Sequence, residues 1–420
     1  MTKIDKLKYF IYCLELFFFE SFLCFCSILG IHIGKGESSP IYLLFNIVLF
    51  LVTSFFLFFD LKKSIRHIKK KLFLLLPVVM TIIFLFEYAI TSGSGLEWTY
   101  KAYRSFVLYC IPAIYIGIDL TVVGKLKNIY PYLDLLAVIM SVGLLRGVAN
   151  SLESGIVSLL GEGGDYNNIA YTSAVCFAFV YYGFLSNRKD RFSIFQSKLF
   201  RIISPFLMIG LAVSALASGG RGGSLLLIIY FITLSLKFIS KKNIFRTIII
   251  SIPVFLILII SAFKYIESNP ALSSVYEYGV GRAFEYISDG GIDTSKSSNR
   301  DEIYVQTWKT IEDNPIIGNG LFRTIGVIGY PHNFILEVLL DGGFLFLFFW
   351  LAVLYRTAMK LRKIVRCDKD MYFLVIIVLY LMVDLMFSGS YLMSGLFWFV
   401  LASIYHYNFV NYEKNFNIAK

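Results

Sequence analysis

Charge is what this sequence has least of. Asp, Glu, Lys and Arg supply 16% of its 420 residues, while hydrophobic types supply 57% and aromatics 17%. The mean hydropathy is +0.71. A water-soluble fold of this size could not hide that much apolar surface, so a soluble globular protein is excluded. Cysteine is sparse and scattered. Cys13, Cys24, Cys26, Cys110 and Cys176 stand singly in apolar runs and Cys367 in a basic loop, which excludes a disulfide framework and a zinc site. Histidine numbers four, and no His/Cys cluster has metal-ligand spacing. The one Asp-x-Asp, Asp368–Lys369–Asp370, sits among basic residues, so no metal and no cofactor are expected. A Walker A motif is missing, so ATP does not drive the protein directly. No cleavable signal peptide, internal repeat or low-complexity linker is evident.

What is there is a series of long apolar runs. They read as spans at 9–31, 41–59, 72–90, 104–123, 132–149, 169–186, 202–218, 224–239, 247–263, 334–355, 371–387 and 394–410. The expected fold class is therefore all-α: a single polytopic membrane domain over 1–420 with about twelve transmembrane helices. The net charge of +11 does not point to nucleic acid, because the basic residues cluster in alternate short loops. Loops 60–71, 187–201, 240–246 and 356–370 are rich in Lys and Arg, whereas 150–168 carries Glu153, Glu162 and Asp165 and no Lys or Arg. With the N-terminus inside, all the basic loops fall on the cytoplasmic side. Both termini are then cytoplasmic, and the 264–333 loop lies outside with the short turn Ser218–Gly223. Several acids and one arginine lie within apolar runs: Glu15, Glu20, Glu87, Asp134, Arg146 and Asp384. Arg146 with an acid is the obvious pairing.

The wettest long segment is 297–343. Ser298 can cap a helix from about Arg300 to Asp313, on which Arg300, Tyr304, Trp308 and Ile311 share a face. Asn314–Pro315 stops that helix, which is expected to lie over the bundle as a lid. Pro331 suits a first helical turn and would carry His332 into the start of the tenth span. That position favours a neutral imidazole able to act as a base or hydrogen-bond donor. Asn333, Glu337 and Asp341 follow at four-residue spacing as a polar stripe descending into the membrane, above Gly342–Gly343. On another helix pair, Arg221 stands in Ser218-Gly219-Gly220-Arg221-Gly222-Gly223 at a helix start, where backbone N–H groups and a guanidinium fork suit an anion. Taken singly, each residue has a plainer reading: a snorkelling arginine, a solvated helix-end arginine, a lone interfacial histidine.

Three blocks together resemble the O-antigen ligase/polymerase superfamily of bacterial membrane glycosyltransferases, the Wzy-type polymerases and WaaL-type ligases. They are SGGRGGSLL, SSNRDEIYVQTWKTIEDNPIIGNGLF and PHNFILEVLLDGGFLFL, with GGDYNNIAYTSAVCFA as a weaker echo. One departure is Gly220, where the family usually has a small hydroxyl residue before the first arginine. The resemblance implies a GT-C-type fold with a large helical extracytoplasmic loop between helices 9 and 10. It implies a glycan on undecaprenyl diphosphate as donor and another as acceptor, and an inverting, metal-independent transfer at the outer leaflet of the bacterial cytoplasmic membrane. Arg221 and Arg300 would hold the diphosphate and His332 would activate the acceptor hydroxyl, with Asn333, Glu337 and Trp308 as further substrate contacts. Polymerisation of repeat units into surface polysaccharide (O-antigen, capsule or exopolysaccharide) is the first expectation, with a chain-length regulator as a possible partner. A ligase acting on lipid A core is the alternative within the class. A transporter or flippase of lipid-linked sugars is the alternative outside it, supported by the intramembrane acids.

Overall fold

The computed structural model describes residues 2–31, 39–64, 72–90, 95–122, 124–154, 166–186, 191–238, 264, 268, 287–288, 291–292, 300–322, 331–407 and 409. Fourteen helices among them carry the architecture. They are α1 Lys3–Leu16, α2 Phe18–Leu29, α3 Pro40–Ser64, α4 Leu72–Ile90, α5 Gly95–Ser105, α6 Ile111–Val122 and α7 Tyr130–Ser154. The series continues with α8 Tyr166–Leu185, α9 Lys198–Ala217, α10 Arg221–Phe238, α11 Arg300–Asp313, α12 Phe334–Cys367, α13 Phe373–Phe387 and α14 Gly395–His406. The strand pairing among the described residues is one two-residue antiparallel pair, Ile287–Ser288 with Gly291–Ile292.

Helix is what apolar runs of this length must form in lipid, since it satisfies every backbone group within the segment. Eight helices among the described residues are long and apolar enough to cross a membrane, or nine if α1 and α2 count as one broken span. The expected span at 247–263 lies outside the described residues. The other eleven expected spans coincide with helices, but not always in extent. α14 has only 12 residues, and α12 runs 34 residues to Cys367, well past 355.

α3 shows how the sides are sorted. Leu44, Val48, Leu51, Phe55 and Phe58 are exposed at helical spacing, while Asn46, Leu49, Thr53 and Leu57 are buried. The apolar face points outward and the polar groups point inward, as a lipid solvent requires. Asn46 donates to the Tyr109 hydroxyl (2.6 Å), and the Thr53 hydroxyl donates to Glu15 (3.2 Å).

The chain divides into two compact units. One comprises 1–16, 46–130 and 294–420 and holds α11–α14. There α6 packs on α14 so closely that a Cβ on Gly117 would lie 2.8 Å from the Phe399 carbonyl oxygen. The other comprises 17–45 and 131–293 and is built around α8, which is buried along most of its length and flanked by α9 and α10. Its buried ion pair is Arg191 with Asp134 (2.9 Å), the guanidinium lying over the Phe195 and Phe200 rings. Among the described residues Arg146 does not take an acid. It donates to the carbonyl of Ile28, because α2 brings its C-terminal end, where carbonyls lack helical partners, to that point.

Candidate functional site

Arg221 is the first residue of α10, as the glycine pattern implied. α9 ends at Ala217, and Gly219, with φ of +80°, turns the chain. The Ser218 hydroxyl donates to the Ala215 carbonyl (3.0 Å) and the Ser224 hydroxyl to the Gly220 carbonyl (3.2 Å), which ties the turn to both helices. Arg221 is half-buried at the positive end of its helix dipole. Its glycine neighbours serve helix packing. A Cβ on Gly222 would lie 1.8 Å from the Tyr171 hydroxyl, and one on Gly223 would lie 2.4 Å from the Ala170 backbone. A Cβ on Gly220 would lie 2.5 Å from that of Ala170, so a side chain has no room there.

The second candidate region belongs to the other unit. α11 runs from Arg300 to Asp313 as expected; Ser298, its expected cap, lies outside the described residues. The helix packs on α12 through Ile311, which meets Leu339 and Leu340. Thr307 is fully buried beside it, whereas Trp308 is 47% exposed. The expected face of Arg300, Tyr304, Trp308 and Ile311 is therefore split. Each residue turns a helix by about 100°, so a packing line through Thr307 and Ile311 leaves Trp308 on the flank with Val305.

After α11 the chain makes the turn Asn314–Gly320 and enters a gap in α12. Gly342 (φ −141°, ψ 16°) and Gly343 (φ +63°, ψ −163°) interrupt the helix. A continuous helix would bond the Phe344 N–H to the Leu340 carbonyl and the Leu345 N–H to that of Asp341. Instead, Phe344 and Leu345 donate to the carbonyls of Pro315 (2.8 Å) and Ile316 (3.2 Å), while those of Leu340 and Asp341 accept from the N–H groups of Asn319 (2.8 Å) and Gly320 (2.9 Å). Two helical bonds are exchanged for four bonds to the turn. The Asn319 side chain adds a bond to the Thr310 carbonyl (3.0 Å). Gly342–Gly343, expected to allow close helix packing, admit a loop backbone.

His332 requires a correction. α12 begins at Phe334 with Asn333 as N-cap, so His332 precedes the helix. The Asn333 side chain accepts from Ile335 N–H (3.0 Å) and Leu336 N–H (3.2 Å), which fixes the start there. His332 adopts left-handed backbone, φ +51°, a conformation uncommon outside glycine. Its Nδ1 lies 3.1 Å from the Ser388 carbonyl oxygen. A carbonyl can only accept, so Nδ1 carries the hydrogen, and in the neutral ring Nε2 holds the basic lone pair.

Glu337 and Asp341 do face one way, but into protein; they are 2% and 3% exposed. Glu337 accepts from the Ser390 hydroxyl and from Tyr391 N–H (3.3 Å). Asp341 accepts from the Tyr391 hydroxyl (2.6 Å). The turn between α13 and α14 is thus tied to α12 by two acids, and its Ser388 carbonyl meets His332. Sequence reasoning overlooked this turn. Its signal was Ser388-Gly389-Ser390-Tyr391, a short polar stretch between two apolar runs. The same reasoning placed Glu87 only among the acids within apolar runs; it borders Gly320, where a Cβ would lie 2.3 Å from its Oε1.

Apolar helices with outward-facing side chains, and polar groups gathered at helix ends, define a multi-pass membrane protein. More particularly, residues 206–351 match the Wzy_C family model, described as O-antigen ligase, which supports membership of the O-antigen ligase/polymerase superfamily. The match includes Arg221, Arg300 and His332. No curated protein and no solved structure matches the chain.

Proposed function

We propose that the protein is a glycosyltransferase of the bacterial cytoplasmic membrane that polymerises undecaprenyl-diphosphate-linked repeat units into surface polysaccharide on the extracytoplasmic side. The observation that carries this reading is that Arg221, Arg300 and His332, the residues the chemistry needs, all fall within the segment matching the O-antigen ligase family. Arg221 and Arg300 bind the diphosphate of the donor and stabilise the charge that develops as it leaves. His332 Nε2 takes the proton of the acceptor hydroxyl, whose oxygen attacks the anomeric carbon. The bond from that carbon to the diphosphate oxygen breaks, the electron pair leaves with the diphosphate, and configuration inverts without a metal. Orientation of His332 by the Ser388 carbonyl supports this assignment, since it leaves Nε2 as the base. Trp308, exposed on α11, offers a ring face to sugar. Asn333 and Glu337 serve the site indirectly, one by capping α12 and the other by holding the 388–391 turn.

The test is His332→Ala, Arg221→Ala and Arg300→Ala in a strain with surface polysaccharide. Long chains should disappear while single repeats still reach the outer face. Bare lipid A core in place of single-repeat core identifies the ligase. Accumulation of lipid-linked repeats on the inner leaflet identifies a transporter.

A further inference from the structure

The turn that fills the gap in α12 carries two isoleucines on its outer side. Ile316 and Ile317 are 62% and 70% exposed, although the Pro315 and Ile316 carbonyls are both bonded to α12. Those bonds end on Phe344 and Leu345, whose side chains are themselves exposed. The apolar surface continues along the same helix through Phe348, Phe349, Leu351 and Tyr355. In water such a surface would be an unstable feature; on a helix long and apolar enough to cross a membrane it is the lipid-facing side.

We infer that the Asn314–Gly320 turn is inserted in the bilayer, with Ile316 and Ile317 among the acyl chains. Three observations favour lipid as the occupant. The patch is continuous with the outward face of a membrane span. From Phe334 to Tyr355, α12 has 22 residues before its first basic one, Arg356, enough for a membrane span. Eight helical residues, Phe334–Asp341, about 12 Å of axis, precede the gap at Gly342–Gly343, which sets the turn inside the span. Finally, the Pro315 and Ile316 carbonyls and the Asn319 and Gly320 N–H groups are bonded to α12, which lowers the cost of bringing this non-helical backbone toward hydrocarbon. Exposed Glu312, Asp313 and Asn314, immediately before the isoleucines, mark the return to the polar headgroups. α11 is then a helix held at the membrane by its C-terminal end. Arg300 stands at the other end, about 20 Å along the axis. This inference rests on packing and exposure and stands apart from the glycosyltransferase reading.

The test places a bimane fluorophore at Ile316→Cys, at Ile317→Cys and, as a water-exposed reference, at Lys309→Cys. Five of the native cysteines are buried, so the background needs only Cys367→Ser. The labelled full-length protein is reconstituted in phosphatidylcholine vesicles with and without acyl-chain-brominated lipid. Bromine should quench both isoleucine positions several-fold more than the Lys309 position. Equal, weak quenching at all three would place the turn in water and overturn the inference. Oxidative cross-linking of two copies through the Ile316→Cys or Ile317→Cys variant, without bromine quenching, would overturn it in favour of a contact between protomers.

Discussion

Two glycine-rich segments, Gly219–Gly223 and Gly318–Gly343, look alike as sequence and work differently. Around Arg221 the absence of a side chain matters most. Gly222 and Gly223 lie against Tyr171 and Ala170 so that α10 can approach α8. In the second segment the backbone conformation matters. Gly343 takes a φ/ψ that only glycine adopts at little cost, and this lets the helix open and the 314–320 turn enter. At Gly222 change is tolerated to the extent that the Tyr171 side chain can move aside, although Gly223 meets the Ala170 backbone. The second turn depends on the backbone of two distant segments fitting together.

Four substitutions can break or sharpen that contrast, each read by thermal unfolding in detergent and by polysaccharide chain length in cells. Gly343→Ala should cost most, roughly 3–5 kcal/mol, because it combines a glycine-only conformation with a Cβ 2.4 Å from the Ile316 backbone, which has no rotamer with which to yield. Next comes Glu337→Ala, at roughly 2–4 kcal/mol, since it leaves the Ser390 hydroxyl and Tyr391 N–H buried without their acceptor. Its loss of long chains should exceed that of an equally destabilised variant elsewhere, because the turn it releases also orients His332. Gly222→Ala should cost roughly 1–3 kcal/mol, with much of the loss recovered in combination with Tyr171→Leu, since the obstacle is the end of a side chain, the Tyr171 hydroxyl at 1.8 Å and its Cζ at 2.6 Å. If Gly222→Ala proves as damaging as Gly343→Ala and Tyr171→Leu gives no relief, the contrast between Gly222 and Gly343 is wrong. The smallest effect belongs to Asn333→Ala, about 1 kcal/mol from the lost N-cap, restored by Asn333→Asp. A larger loss of activity that Asn333→Asp fails to restore would point to direct substrate contact.

Much of the site was legible in the residues. The 300–313 helix, its stop at Asn314–Pro315 and the helix start at Arg221 follow from turn and capping chemistry, which is local. His332 was placed inside the helix because Pro331 suggested a start three residues earlier than the one Asn333 enforces. Glu337 and Asp341 were read correctly as sharing a face, whereas Asn333 caps the helix; the partners of the two acids lie 50 or more residues later, in a turn with little to distinguish it.

By itself the sequence determined that this is a helical membrane protein, because apolar runs in lipid must close their own hydrogen bonds and only a helix does so within one segment. It also determined the family resemblance, now supported by the match over 206–351. Only the tertiary structure decided that the Asn-Pro-x-x-Gly-x-Gly block and the Asp-Gly-Gly block form one device. Their four shared hydrogen bonds join residues more than 20 positions apart, and neither propensity nor periodicity records a bond whose two ends meet only after folding.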